Sequence, residues 1–96
     1  MGIDTAPPWW VYIVRAANGS LYTGITTDLK RRFAEHRSGA RGARFFRTSS
    51  AQRLVYSEQL GDRSSASRRE AAIKRLQRAQ KLALIKSAVS RRPRRP

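Results

Sequence analysis

The side chains of Tyr12, Tyr22, Arg32, His36 and Glu70, together with a basic stretch from Lys30 to Arg53, have the types and spacing to carry chemistry. A phenol can pass on a proton, a guanidinium can grip phosphate oxygens with a two-pronged fork, an imidazole titrates near neutral pH, and a carboxylate can hold a hard cation. Each also has an ordinary explanation. A strand tyrosine is most often a half-buried aromatic, Arg32 could lie along Phe33, and a lone histidine is commonly a satisfied residue at the edge of a core. Glu70 stands out, because a buried carboxylate without a partner is expensive. A salt bridge to Arg69 or Lys74, or exposure at a helix edge, would account for it equally well.

From Lys30 through Arg53 eight basic residues face a single acid, Glu35, and over the whole chain 21 Lys and Arg against 6 Asp and Glu leave a formal charge of +15. Like charges at this density repel and destabilise a fold unless a polyanion neutralises them. Arginine outnumbers lysine by 17 to 4, counted along the sequence, which suits bidentate phosphate recognition and stacking on bases. Nucleic acid is therefore the expected partner, with Lys30, Arg31, Arg37, Arg41, Arg44, Arg47 and Lys74 the expected contacts. Nothing calls for a membrane or for an obligate protein partner.

The composition excludes a good deal. With no cysteine and His36 as the only histidine, a disulfide, a zinc–thiolate site, a two-histidine metal cluster and a cysteine nucleophile are all impossible. A hard-metal site would have to draw on Asp4, Asp28, Glu35, Glu58, Asp62 or Glu70. No apolar run approaches the ~18 residues of a membrane span, and the first residues lack the pattern of a secretory signal, so the expected compartment is the cytosol. At 96 residues one small domain is expected, with a short arm over 1–8, an ordered domain over 9–90 and a charged, disordered tail over 91–96.

The elements that must position these residues follow from local pattern. Trp9 to Arg15 and Ser20 to Ile25 are β-branched and aromatic runs separated by Ala17-Asn18-Gly19, which predicts a hairpin. A two-residue turn would send Tyr12 and Tyr22 to opposite faces. A three-residue loop with a left-handed Gly19 pairs Tyr22 with Val14 and puts both tyrosines on one face, and this is the expected geometry. Asp28 or Thr27 can cap a helix from about Leu29 to Ser38, ended by Gly39, on which Leu29, Phe33 and His36 lie within roughly 60° and Arg32 borders them. Gly39 to Ser50 reads as a loop with at most one helical turn, carrying Phe45-Phe46 as its large apolar pair. Arg53 to Ser57 predicts a third strand. Asp62, Ser64 or Ser65 then caps a long helix with Ala66, Glu70, Ile73 and Gln77 on one stripe, and Arg78 to about Val89 predicts a last helix.

Taken together, Val11-Tyr12, Tyr22-Thr23-Gly24, Asp28-Leu29-Lys30-Arg31-Arg32-Phe33, His36 one turn on and Glu70 on a later helix resemble the GIY-YIG nuclease family in order and spacing. The stretch Leu21 to Asp28, with Gly61-Asp62-Arg63-Ser64 and the segment from Lys74 to Lys81, is similar to the small stand-alone bacterial (YhbQ-like) branch, and the likeness covers about Trp9 to Ile85. It implies a small α/β sandwich, a three-stranded antiparallel sheet flanked by helices. It also implies that Tyr12 and Tyr22 are paired active-site tyrosines, Arg32 the catalytic arginine, His36 an auxiliary residue and Glu70 the metal-binding carboxylate.

That resemblance makes the expected activity a divalent-metal-dependent endonuclease, with Mg2+ as the natural ion and Mn2+ as a substitute, because a chain so poor in acids suits a cation that keeps most of its water. DNA is expected over RNA. Single strands or branches, whose bases can stack on aromatics, suit such a protein as substrates, in repair or recombination, and the sequence leaves the choice between single-stranded, branched and duplex DNA open. The alternative is a nucleic-acid-binding protein that keeps the fold and little catalysis. The sequence departs from the family at Trp10, where a glycine is usual, at Val11 and Thr23 within the motifs, and at Ile25, where excision-repair members carry lysine. Many relatives also have an asparagine after the glutamate, and the only asparagine here is Asn18.

Overall fold

The burial of one strand sets the architecture. In the computed structural model, which describes residues 7–39, 46 and 49–90, the elements are β1 (Trp9–Ala16), β2 (Leu21–Thr26), α1 (Leu29–Ser38), β3 (Ala51–Leu60), α2 (Arg63–Lys74) and α3 (Arg78–Ser90). Val11 to Val14 are all buried, because β1 lies at the centre of an antiparallel sheet ordered β2-β1-β3 with helices on both faces. On one face Val11 and Ile13 pack with Tyr56, with Ile73 of α2 and with Leu84 and Ile85 of α3. On the other, Tyr12 and Val14 pack with Ala51, with Leu29 and Phe33 of α1 and with Phe46. Each fully buried apolar side chain contributes about 1.5–3 kcal/mol, so these two half-cores hold the three layers together.

The hairpin has the register that brings the tyrosines together. Gly19 takes φ 90°, the Ala16 N–H donates to Ser20 O at 2.9 Å, and Val14 stands opposite Tyr22. Tyr12 and Tyr22 thus share a face. The Asn18 side chain accepts from the Ser20 N–H at 3.0 Å and stiffens the turn. α1 begins where Asp28 accepts from the Arg31 N–H at 3.0 Å and ends at a left-handed Gly39, as the sequence predicts. Asp62 caps α2 in the same way through the Ser65 N–H at 2.7 Å.

Two expectations need correction. The third strand runs over Ala51–Leu60 rather than 53–57, since it pairs with β1 from Ala16↔Ala51 to Trp9↔Leu60. Polar residues at both ends of this edge strand face solvent and carry no apolar alternation, and two register shifts break its period. α2 stops at Lys74, so Gln77 lies beyond the stripe shared by Ala66, Glu70 and Ile73, and its N–H is taken by the Gln80 side chain at 2.9 Å. The expected arm, except Pro7 and Pro8, the expected tail and most of the 40–48 loop, with Arg41, Arg44 and Arg47, fall outside the described residues. Among the described residues no helix is long and apolar enough to cross a membrane.

Candidate active site

Tyr12 projects from the central strand and leans across β2. Its cross-strand partner is Gly24, and a Cβ built there would lie 2.6 Å from the Tyr12 hydroxyl and 2.8 Å from Cζ. The phenol therefore rests on bare backbone, which explains why a glycine must follow Tyr22 by two positions. The hydroxyl lies 2.8 Å from His36 Nε2, and the Tyr22 and Phe46 rings close around the imidazole with centroids at 5.2 and 4.7 Å. Tyr12 and Tyr22 are 6.3 Å apart, ring to ring. Only 2% of Tyr12 and 1% of His36 remain exposed.

Burial dominates the electrostatics of this pair. It pushes the Tyr12 hydroxyl up to about 12, helped by the neighbouring Tyr22 and, more weakly, by the Glu70 carboxylate, and opposed by Arg32. It pushes His36 down to about 4, reinforced by the Arg32 charge and opposed by Glu35. Both groups are accordingly neutral at pH 7. The Arg32 guanidinium acts on the Tyr12 oxygen and draws its pKa back down. With His36 neutral, the phenol can donate its proton to Nε2, an arrangement that suits an imidazole carrying its own proton on Nδ1.

The other charged residues sort themselves by partner. Arg32 also binds Glu35, Nη1 to Oε1, at 2.9 Å, so Glu35 holds the guanidinium beside Tyr12. In the sequence Glu35 counts among the possible metal ligands and not as the partner of Arg32, although its i,i+3 spacing was a usable signal. Phe46, which stands out in the sequence only as part of an apolar pair in a loop, packs on both Tyr22 and His36. Arg69 turns away to Glu58 on β3, whose Oε1 it reaches at 2.9 Å beside the Tyr56 hydroxyl. Lys74 Nζ lies 3.2 Å from Glu70 Oε2, so this expected phosphate contact engages the carboxylate instead. Lys30, Arg31 and Arg37 are exposed on α1, with the Arg37 guanidinium 5.9 Å from the centre of the Phe33 ring.

A census of carboxylates isolates Glu70. Apart from Asp4, outside the described residues, Asp28 and Asp62 cap helices, Glu35 holds Arg32, and Glu58 joins Tyr56 to Arg69. Glu70 alone pairs only with a half-exposed lysine while its charge reaches Tyr12. Among the described residues no three acids and histidines gather as a metal cluster. The donor set thus fits a hydrated cation resting on one carboxylate, and does not fit a metal enclosed by protein ligands.

A three-layer α/β fold with paired tyrosines over a glycine, an arginine and a helix-borne glutamate defines a nuclease-type domain. The model of the GIY-YIG catalytic domain matches residues 8–83, and the chain belongs to that family. It is 52% identical over 82 residues to the UPF0213 protein DP2720 of Desulfotalea psychrophila, covering 85% of this chain and 74% of that one. To the UPF0213 protein YhbQ of Escherichia coli K12 it is 46% identical over 78 residues, 81% of this chain and 77% of that one. The solution structure of the protein EF2693 from E. faecalis superimposes with a TM-score of 0.61 at 29% identity, covering 98% of this chain and 99% of that one. Proteins with this domain generally take nucleic-acid substrates and divalent metals.

Proposed function

We propose that this protein is a metal-dependent endonuclease that hydrolyses phosphodiester bonds in DNA, with single-stranded or branched DNA as substrate in repair or recombination. The observation that carries the reading is the convergence of Arg32 and His36 on the Tyr12 hydroxyl, with Tyr22 alongside and Glu70 within electrostatic reach. Arg32 can hold the scissile phosphate and offset charge that builds on its non-bridging oxygens. Water attacking phosphorus gives its proton to the Tyr12 oxygen as the phenol proton passes to His36 Nε2. The leaving 3′-oxygen takes a proton from solvent, leaving 5′-phosphate and 3′-hydroxyl ends. This relay passes through no free phenolate and starts from neutral His36, which burial secures above about pH 4; the imidazolium it forms is disfavoured by the same burial and by Arg32, and so returns its proton through Tyr12 to solvent. Glu70 would hold hydrated Mg2+ or Mn2+, which when bound supplies a Lewis acid for the phosphate and leaving oxygens.

One observation favours the second reading, a nucleic-acid-binding protein with little catalysis: Lys74 already neutralises Glu70 at 3.2 Å. The two readings separate in one experiment. End-labelled single-stranded, duplex and branched DNA is incubated with purified protein and Mg2+, Mn2+ or EDTA, beside Glu70→Ala made identically. Cleavage by the unmutated protein with metal only, and binding without cleavage by Glu70→Ala, supports the endonuclease. Equal binding with no cleavage by either supports the binding protein.

A further inference from the structure

Trp9 and Trp10 open β1 half-buried, and neither joins either half-core. Their surroundings differ. Trp9 faces α2, where the Arg63 guanidinium covers its ring at 5.7 Å. Trp10 lies on the opposite face, between Thr26 and Gln59 on the neighbouring strands, neither of which offers an aromatic surface. Among the described residues its indole has no hydrogen-bond, ring or cation partner.

The position of Trp10 is informative. Strand alternation places it on the face of Tyr12, two residues or about 7 Å along β1, comparable with one nucleotide of an extended strand. Thr26, directly across from it, is followed within a few residues by the first turn of α1, where Lys30 and Arg31 are exposed. An aromatic ring with no partner of its own, on the strand face of Tyr12 and across from the strand end that leads into the exposed Lys30 and Arg31, matches the way single strands are held: bases stack on rings while phosphates meet positive charge.

We propose that Trp10 is a stacking platform for the nucleobase adjacent to the scissile phosphate of a single-stranded DNA segment, with Lys30 taking the neighbouring phosphate. Paired bases in a duplex cannot present a free face to the ring, so Trp10 selects for unpaired substrate. The location of the scissile phosphate rests on the endonuclease reading. The stacking does not.

The test uses the full chain in EDTA, so that no cleavage intervenes. Trp9 and Trp10 are the only tryptophans, and Trp9→Phe makes Trp10 the sole reporter. A short oligo-dT should quench its emission, and inorganic polyphosphate and a duplex of equal length should leave it nearly unchanged. Trp10→Ala should weaken oligo-dT binding about 5- to 150-fold, the usual worth of one stacked base, with duplex binding within about twofold and Trp10→Phe retaining most of the affinity. Absence of quenching in Trp9→Phe, or equal losses for oligo-dT and duplex in Trp10→Ala, would overturn the proposal. Adding Mg2+ separates it from the endonuclease reading. Quenching without cleavage leaves the stacking site standing and removes the nuclease, whereas cleavage with an unchanged KM in Trp10→Ala does the reverse.

Discussion

Gly24→Ala is the sharpest single perturbation of the site. The Gly24 backbone has no left-handed φ, so an alanine there meets no conformational penalty of its own. The new methyl would lie 2.6 Å from the Tyr12 hydroxyl, and ordinary contact begins near 3.4 Å, so the hydroxyl must retreat by about 0.8 Å. It has little room, being held 2.8 Å from His36 with the Tyr22 ring behind it. Overpacking of this kind costs about 1–3 kcal/mol. A displacement of that size at the reacting groups lowers a rate about 100-fold. Urea unfolding followed by tryptophan emission should show the lower midpoint, and metal-dependent cleavage should show a fall in kcat larger than any change in KM. In a Tyr12→Ala background, where the clash disappears with the ring, Gly24→Ala should cost almost no further stability. Wild-type stability and turnover in Gly24→Ala would refute the claim that the phenol is pinned on this backbone.

The remaining predictions address charge and caps. His36 sits at about 4 when folded against an ordinary 6.5, so the unfolded chain binds the extra proton between these values. Stability is then full above pH 6.5 and lost as pH falls toward 4, by on the order of 3 kcal/mol. Unfolding series of wild type and His36→Gln should diverge over that window, and parallel curves would contradict the burial argument. Asp28→Ala should cost about 1 kcal/mol by removing the α1 cap, and Asp28→Asn should recover most of it in thermal melts. DNA binding should fall steeply with salt, with a log–log slope of about −0.7 for each single-strand phosphate neutralised. A flat response would sink the electrostatic account of the +15 charge.

Local rules made much of the fold legible. The length of the Ala17–Gly19 loop fixed the register that joins Tyr12 to Tyr22, and Asp28, Gly39 and Asp62 marked helix ends where backbone groups lack partners. The extent of β3 was not legible, because an edge strand with polar ends is defined by its pairing with β1 rather than by its own alternation. The role of Phe46 was not legible for a related reason, since it lies in contacts with Tyr22 and His36 and not in its neighbours along the chain, whereas the pairing of Glu35 with Arg32 was readable from their i,i+3 spacing.

By itself, then, the sequence determined the charge, the absence of thiol and multi-histidine chemistry, the hairpin and the helix that carries Arg32 and His36, because these depend on composition and on spacings of a few residues. Tertiary structure alone decided how the carboxylates were assigned. Arg69 reaches Glu58 eleven positions away, which leaves Glu70 to Lys74 and within the field of Tyr12. It also decided the protonation of the site. Tyr12 and His36, 24 positions apart, meet only when α1 closes over the sheet, and the loss of water there drives both groups to their neutral forms.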